Sequence, residues 1–357
     1  MKNFRAEFQE IIEGSFVPFL ADENTINKKW NEVIFPIIDN MPKSLFRYRK
    51  MGDAENKERN IEFLAKAKLP LCHASKFSDK YDSYIYVDKA FIHSQMIDNM
   101  RDALRTVLYE ISKKNPNVLP LKASKICYYK ESGLTEEDII EKIIVDEYST
   151  FIQEVESTLK QRETKLRDKM YGFKIACFTE SPVSKFMWDI YADGYKGYVL
   201  EYDFKKTMYE YNRKGLDVTI FPIIYSDQKY DATKEESCVL LYDYIKEHPE
   251  AKAFFYEIIK NYPLNQLYFY KTYLYKDKRE YQHEYEWRMI YVDYNNKSPY
   301  AELDEYDSLK AIYYGPDIKS EDKEQLHRIA EKRGIKEYKV FLDTESKSYD
   351  LAFKDYV

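Results

Sequence analysis

The stretch Gln282-His283-Glu284-Tyr285-Glu286-Trp287-Arg288-Met289-Ile290-Tyr291-Val292 decides how this chain is read. Aromatic and β-branched residues cluster in it, which predicts a β-strand over 284–292. Side chains alternate along a strand, so Glu284, Glu286 and Arg288 share one face. Tyr285, Trp287 and Met289 share the other and can bury themselves. Neighbouring carboxylates on one strand face stand about 7 Å apart. A solvated face with an ion pair of little worth accounts for the pattern. So does a polar cleft that grips a hydroxylated or cationic ligand, and the adjacent Trp favours that second account.

Outward from this stretch, strand and helix patterns alternate in blocks. Segments 44–49, 69–74, 172–179, 197–203, 218–225, 309–314 and 337–342 read as strands. Segments 4–13, 26–40, 54–67, 88–113, 182–192 and 320–332 carry helical periodicity. Thr135-Glu136-Glu137-Asp138 resembles a capping box and predicts a long helix to about residue 168. A further helical block covers 234–275, interrupted near Pro249 and Pro263. The strands flank the helical blocks. The expected fold class is α+β, a central mixed or antiparallel sheet system with helical insertions. Residues 1–40 form an N-terminal helical segment. Residues 41–357 form a single α+β domain with insertions at about 88–170 and 228–280.

Composition narrows the function classes. The chain has 357 residues, enough for one large or two moderate domains. With 62 acidic against 56 basic residues and a net charge of -6, a whole-chain nucleic-acid clamp is disfavoured. Cys72, Cys127, Cys177 and Cys238 never approach Cys-x-x-Cys spacing, so neither a metal site nor a redox pair is expected. The five histidines include no pair at ligand spacing. The first residues lead into an amphipathic pattern and not an apolar signal core. No apolar run reaches the roughly 20 residues of a membrane span. A cytoplasmic protein with no membrane partner is expected.

Three further segments could carry chemistry. In Leu45-Phe46-Arg47-Tyr48-Arg49, alternation puts Arg47 and Arg49 on one face, where guanidinium forks suit a phosphate. Taken alone, two surface arginines around a buried Tyr48 is the commoner outcome. Ala74-Ser75-Lys76-Phe77-Ser78-Asp79-Lys80-Tyr81-Asp82-Ser83 is a turn rich in Ser and Asp, of the kind that orients ligand hydroxyls, with Ser75 the candidate contact. In Met187-Trp188-Asp189-Ile190-Tyr191, Trp188 and Tyr191 lie three apart on a helix and can stack a planar ring, although core packing is the usual fate of such pairs.

Taken in order, these blocks resemble the bacterial domain-of-unknown-function family 2971. The resemblance is closest over Met187–Asp203 and Glu284–Arg288, and weaker at Ser78, Lys80 and Tyr195. The family name implies no activity. The order of the blocks is also similar, at the level of pattern, to ADP-ribosyltransferases. That resemblance implies a fold of that type, with NAD as substrate and no metal. Arg47 would anchor the pyrophosphate or ribose, with Tyr48, Arg49, Ser75 and Arg288 around it. Trp188 and Tyr191 would pack on nicotinamide. Glu286 would be the catalytic carboxylate and Glu284 would position the acceptor. The macromolecule modified, protein or nucleic acid, stays open, and a toxin or phage-defence effector is the implied role. Two other classes stay open beside it: a non-catalytic nucleotide- or protein-binding module, and an RNA-directed effector using Arg47, Arg49, His73 and Glu286.

Overall fold

A computed structural model describes residues 2–15, 17–18, 21–52, 54–79, 81–113, 128–129, 131–247, 263–264 and 267–356. Ten strands build two five-stranded sheets, and the fold is α+β. They are β1 (Leu45–Arg49), β2 (Lys68–Cys72), β3 (Phe173–Phe178), β4 (Tyr198–Tyr202), β5 (Asp217–Pro222), β6 (Trp287–Val292), β7 (Tyr300–Asp304), β8 (Leu309–Tyr314), β9 (Lys336–Leu342) and β10 (Leu351–Asp355). The first sheet runs β7-β2-β3-β6-β5, antiparallel throughout. The second runs β10-β9-β8-β4-β1, antiparallel except for the β8–β9 pair.

The expected sheet system thus consists of two five-stranded sheets. One paired bridge joins the halves: Phe46 and Thr179 exchange both backbone hydrogen bonds at 2.8 Å. The split leaves a seam between β1 and β3. Alternation on β1 then sorts the second sheet's two faces. Leu45, Tyr198, Leu200 and Tyr202 join the main core with Leu71, Ile175 and Phe178 of the first sheet. Phe46, Tyr48, Val199 and Tyr313 pack on the other face with Met187 and Trp188.

Both N-terminal helices, Lys2–Glu13 and Glu23–Asn40, put apolar side chains into the main core, among them Phe8, Val33 and Ile37. Helices Lys89–Ser112, Glu136–Lys169 and Thr233–Glu247 form their own cluster around Met100, Leu104, Ile140 and Leu241. The helix expected over 234–275 ends at Glu247 within the described residues; 248–262 and 265–266 lie outside them, as does Cys127. Tyr268–Lys271 is helical again, and the last residue of the block, Tyr275, opens a strand, Tyr275–Asp277, that pairs in parallel with Ile224–Ser226. The strand expected over 218–225 is cut at Pro222, which offers no N–H to continue a ladder. Lys205–Arg213, β7 and β10 were not expected, because their sequences mix polar and apolar residues without a clear period. Among the described residues, no helix is long and apolar enough to cross a membrane.

Candidate functional site

The strand built on the opening stretch begins at Trp287, three residues later than expected. Gln282–Glu284 is a single 3-10 turn, and Tyr285 follows it in the left-handed region at φ 46°. Tyr285 is accordingly 40 % exposed instead of buried. The kink nevertheless delivers Glu284 beside Glu286 and Arg288, and all three line a cavity of about 380 Å³ at the seam. Arg47, Tyr48 and Arg49 of β1, Tyr191, and Asp82 of the 74–83 turn line the same cavity.

A buried charge cluster forms one side. Arg288, fully buried, donates Nη1 and Nη2 to the two Asp82 oxygens at 2.8 and 2.6 Å. Its Nε donates to Glu286 Oε1 at 2.7 Å, Nη2 reaches Glu286 Oε2 at 3.4 Å, and Nη1 also reaches the Tyr273 carbonyl at 2.7 Å. Every N–H of this guanidinium is thus engaged. Lys276 Nζ donates to Glu284 Oε2 at 2.7 Å and to Glu286 Oε2 at 3.0 Å, and lies 4.1 Å from the Tyr281 ring centroid. Tyr191 donates its hydroxyl to Glu284 Oε1 at 2.6 Å.

Burial opposes ionisation of Glu286, but Arg288 and then Lys276 outweigh it and hold the carboxyl well below its ordinary 4.5. Burial would discharge Lys276, and Glu286 chief among the carboxylates keeps it charged instead. Burial, reinforced by Glu284, raises the Tyr191 hydroxyl, which therefore stays a donor. Three carboxylates, those of Asp82, Glu284 and Glu286, face two cations, and the cluster is one negative charge in excess.

The main chain of Glu286 is fixed as firmly as its side chain. Its N–H donates to the Tyr225 hydroxyl at 2.7 Å, and its carbonyl accepts from Arg5 Nη1 at 3.0 Å. Arg5 also pairs with Glu180, which accepts from Trp287 Nε1 at 2.8 Å. Trp287 thereby anchors the strand on the face opposite the carboxylates.

The other charged group enters from β1. Arg47 donates to the Pro70 carbonyl at 2.9 Å and lies 5.7 Å from the Phe178 ring centroid. Arg49 donates to Asn60 at 2.8 Å. Among the described residues neither guanidinium pairs with a carboxylate. Burial, with Arg49 adding to it, lowers Arg47 to about 10, so it remains cationic at neutral pH. Gly197 lets the neighbouring loop cross β1 closely, because a Cβ there would collide with the Arg49 carbonyl. Cys177 lies between the two charge groups, its thiol pushed up by burial and then by Glu286.

Two expected contacts lie elsewhere. Trp188 is fully buried beneath the cavity, its Nε1 donating to the Pro182 carbonyl at 2.8 Å and its ring edge-on to Tyr48 at 5.4 Å. It faces the second sheet's core because the helix Lys185–Tyr191 turns Tyr191, not Trp188, towards the seam. Ser75 is exposed and bonds His73 Nδ1 at 2.9 Å, outside the cavity lining. Tyr48 is a cavity wall whose hydroxyl is already committed to Ser181 and Ser184. Arg288 lines the cavity as a brace with no donor left for a ligand. Lys276 and Asp82 were missed as site residues. Asp82 stood in a turn read as orienting ligand hydroxyls, and Lys276 just past a block read as helix. Among the described residues, no group of three or more His, Cys, Asp or Glu has a metal-holding arrangement.

The geometry belongs to an α+β protein with a polar cavity between two sheets. Residues 187–289, the range that bears Tyr191, Lys276, Glu284, Glu286 and Arg288, match the family model described as Protein of unknown function (DUF2971). The blocks at 45–49 and 77–83 lie outside the matched range. No curated protein and no solved structure matches the chain.

Proposed function

We propose that the seam cavity binds NAD as substrate and that the protein cleaves its nicotinamide–ribose bond, passing the ADP-ribosyl group to water or to a macromolecular acceptor. The observation that carries this reading is the polarisation of the cavity. Two arginines that pair with no carboxylate among the described residues enter from β1, and a cluster with one excess negative charge enters from Asp82, Glu284 and Glu286. NAD is polarised in the same sense, with a cationic pyridinium at one end and an anionic diphosphate beyond the ribose. Arginine forks suit the diphosphate. The excess negative charge favours the positive charge that develops on the ribose as the C–N bond breaks. Nicotinamide leaves with the bonding electron pair. The acceptor then bonds to the same carbon and gives up its proton. The block order similar to that of ADP-ribosyltransferases supports the same reading, and an effector role in toxicity or phage defence would follow from it.

The test is to incubate the purified protein with NAD and measure free nicotinamide and protein-linked ADP-ribose. Release that falls in Glu286→Gln is expected. NAD left intact would overturn the catalytic reading. One observation favours a second reading, a nucleotide-binding module without turnover: both Glu286 oxygens are already bonded to Arg288 and Lys276. NAD binding with no nicotinamide release selects that module.

A further inference from the structure

Two more cavities continue from the seam along the parallel pair Ile224–Ser226 and Tyr275–Asp277. The nearer, about 330 Å³, shares Asp79, Asp82, Lys276 and Tyr281 with the seam cavity. The farther, about 610 Å³, shares Ser226, Gln228, Lys229 and Tyr275 with the nearer. Together they make one groove leading away from Glu284 and Glu286.

The groove is aromatic, open and acidic. Tyr81, Tyr84, Tyr86 and Phe91 line it while remaining 75, 39, 51 and 42 % exposed. Uncovered aromatic surface gathered in one place marks an interaction site more often than isolated apolar residues do. Beyond the buried cluster that already holds Asp82 and Lys276, four carboxylates, those of Asp79, Asp227, Asp277 and Glu280, face two cations in the nearer cavity, Lys229 and Arg279. Four face three in the farther, with Lys229 common to both. The rings already receive a cation: Lys229 Nζ lies 5.7 Å from the Tyr81 centroid and 5.5 Å from that of Tyr84.

We infer that this groove docks an extended polypeptide segment rich in lysine and arginine, the protein acceptor brought to the seam cavity. Basic side chains complement the net negative lining, and their stems and charged heads suit tyrosine faces. A nucleic-acid strand is disfavoured, because each phosphate would add negative charge to an already negative groove. The word acceptor rests on the reading of the seam cavity as the reacting centre; the docking itself does not.

The experiment measures fluorescence anisotropy of three labelled ligands on the full chain, without NAD: a short Lys/Arg-rich peptide, an acidic peptide of equal length, and a single-stranded oligonucleotide. The basic peptide is expected to bind preferentially and to weaken as salt rises. Asp227 and Glu280 are exposed groove residues, so the double variant Asp227→Lys/Glu280→Lys should fold and lose about tenfold or more in affinity. Tyr81→Ala should lose about fivefold, the scale of a cation–π contact. Unchanged melting of both variants confirms their fold. Binding of the acidic peptide or the oligonucleotide as tight as that of the basic peptide overturns the inference. So does basic-peptide binding that the double charge reversal leaves unchanged. Because NAD is absent, failure here is separate from failure of the glycosidic reading.

Discussion

Arg288 and Asp82, 206 residues apart in the chain, meet in a buried two-pronged ion pair at 2.8 and 2.6 Å. The pair ties the 74–83 turn to β6 and so closes one wall of the seam cavity. Its net worth against an apolar replacement is small, because both charges are desolvated. Breaking it is another matter. Arg288→Ala leaves Asp82 buried without its partner and removes one of the two cations on Glu286. A loss of about 3–5 kcal/mol in urea unfolding is expected. Arg288→Lys restores the charge without the fork and should recover only part of that loss. An Arg288→Ala variant within about 1 kcal/mol of the parent would show that the pair behaves like a surface contact.

Glu286→Gln separates chemistry from structure. The substitution keeps the size and one acceptor oxygen, and it brings the cluster from one excess negative charge to neutrality. Nicotinamide release should fall about 100-fold or more, the scale of losing an electrostatic group aimed at a transition state. The fold should also weaken by about 1–3 kcal/mol, because the new amide sets N–H groups against the donors of Arg288 or Lys276. The two effects are read independently, by steady-state turnover and by denaturant midpoint. A weakened fold with unchanged turnover would make Glu286 a structural residue only and favour the binding module.

The same cluster sets a pH window for stability. Glu286 is depressed in the fold below its ordinary 4.5, so it contributes stability above that value. That contribution is lost progressively as pH falls from 4.5 towards the folded-state value, where the unfolded chain takes up a proton and the folded chain does not. Lys276 is raised in the fold above its ordinary 10.5. Its contribution is complete below 10.5 and declines as pH rises beyond it. Melting temperature against pH should therefore show an acid limb that shrinks in Glu286→Gln and an alkaline limb that shrinks in Lys276→Met. An acid limb of equal depth in the Gln variant would place the titrating carboxylate elsewhere.

Alternation made much of this legible in the sequence. The β1 pattern places Arg47 and Arg49 on one face, and the opening stretch orders Glu284, Glu286 and Arg288 towards one cavity. Alternation fails at Tyr285, because a left-handed residue resets the direction of the chain without any glycine to announce it. Trp188 and Tyr191, three apart on one helix, part company because the seam runs between their directions, one side core and the other cavity. Lys276 could not be assigned from its neighbours. Its role depends on a parallel pairing with Ile224–Ser226 across a long insertion, and local pattern carries no record of such non-local contacts. The division into two sheets is of the same kind: the Phe46–Thr179 bridge that joins them pairs residues far apart in the chain.

Arg47→Ala and Ser75→Ala test which of the arginine-side contacts reach a ligand. Arg47 donates a hydrogen bond to the Pro70 carbonyl and has no carboxylate ion-pair partner among the described residues, so its charge is open to a ligand in the cavity. Removing it should weaken binding of NAD, or of ADP-ribose as its phosphate-bearing part, by about 1.5–3 kcal/mol, the range for a hydrogen bond to a charged group. Turnover at saturation should change far less, because the lost contact exists before and during the reaction alike. Ser75, exposed and turned to His73, should be neutral in the same titration. Trp188→Phe should leave affinity near the parent value and lower stability instead, since the indole fills core and bonds the Pro182 carbonyl. Isothermal titration at fixed salt reads all three. Equal weakening by Arg47→Ala and Ser75→Ala would move the phosphate site out of the seam and onto the 74–83 turn.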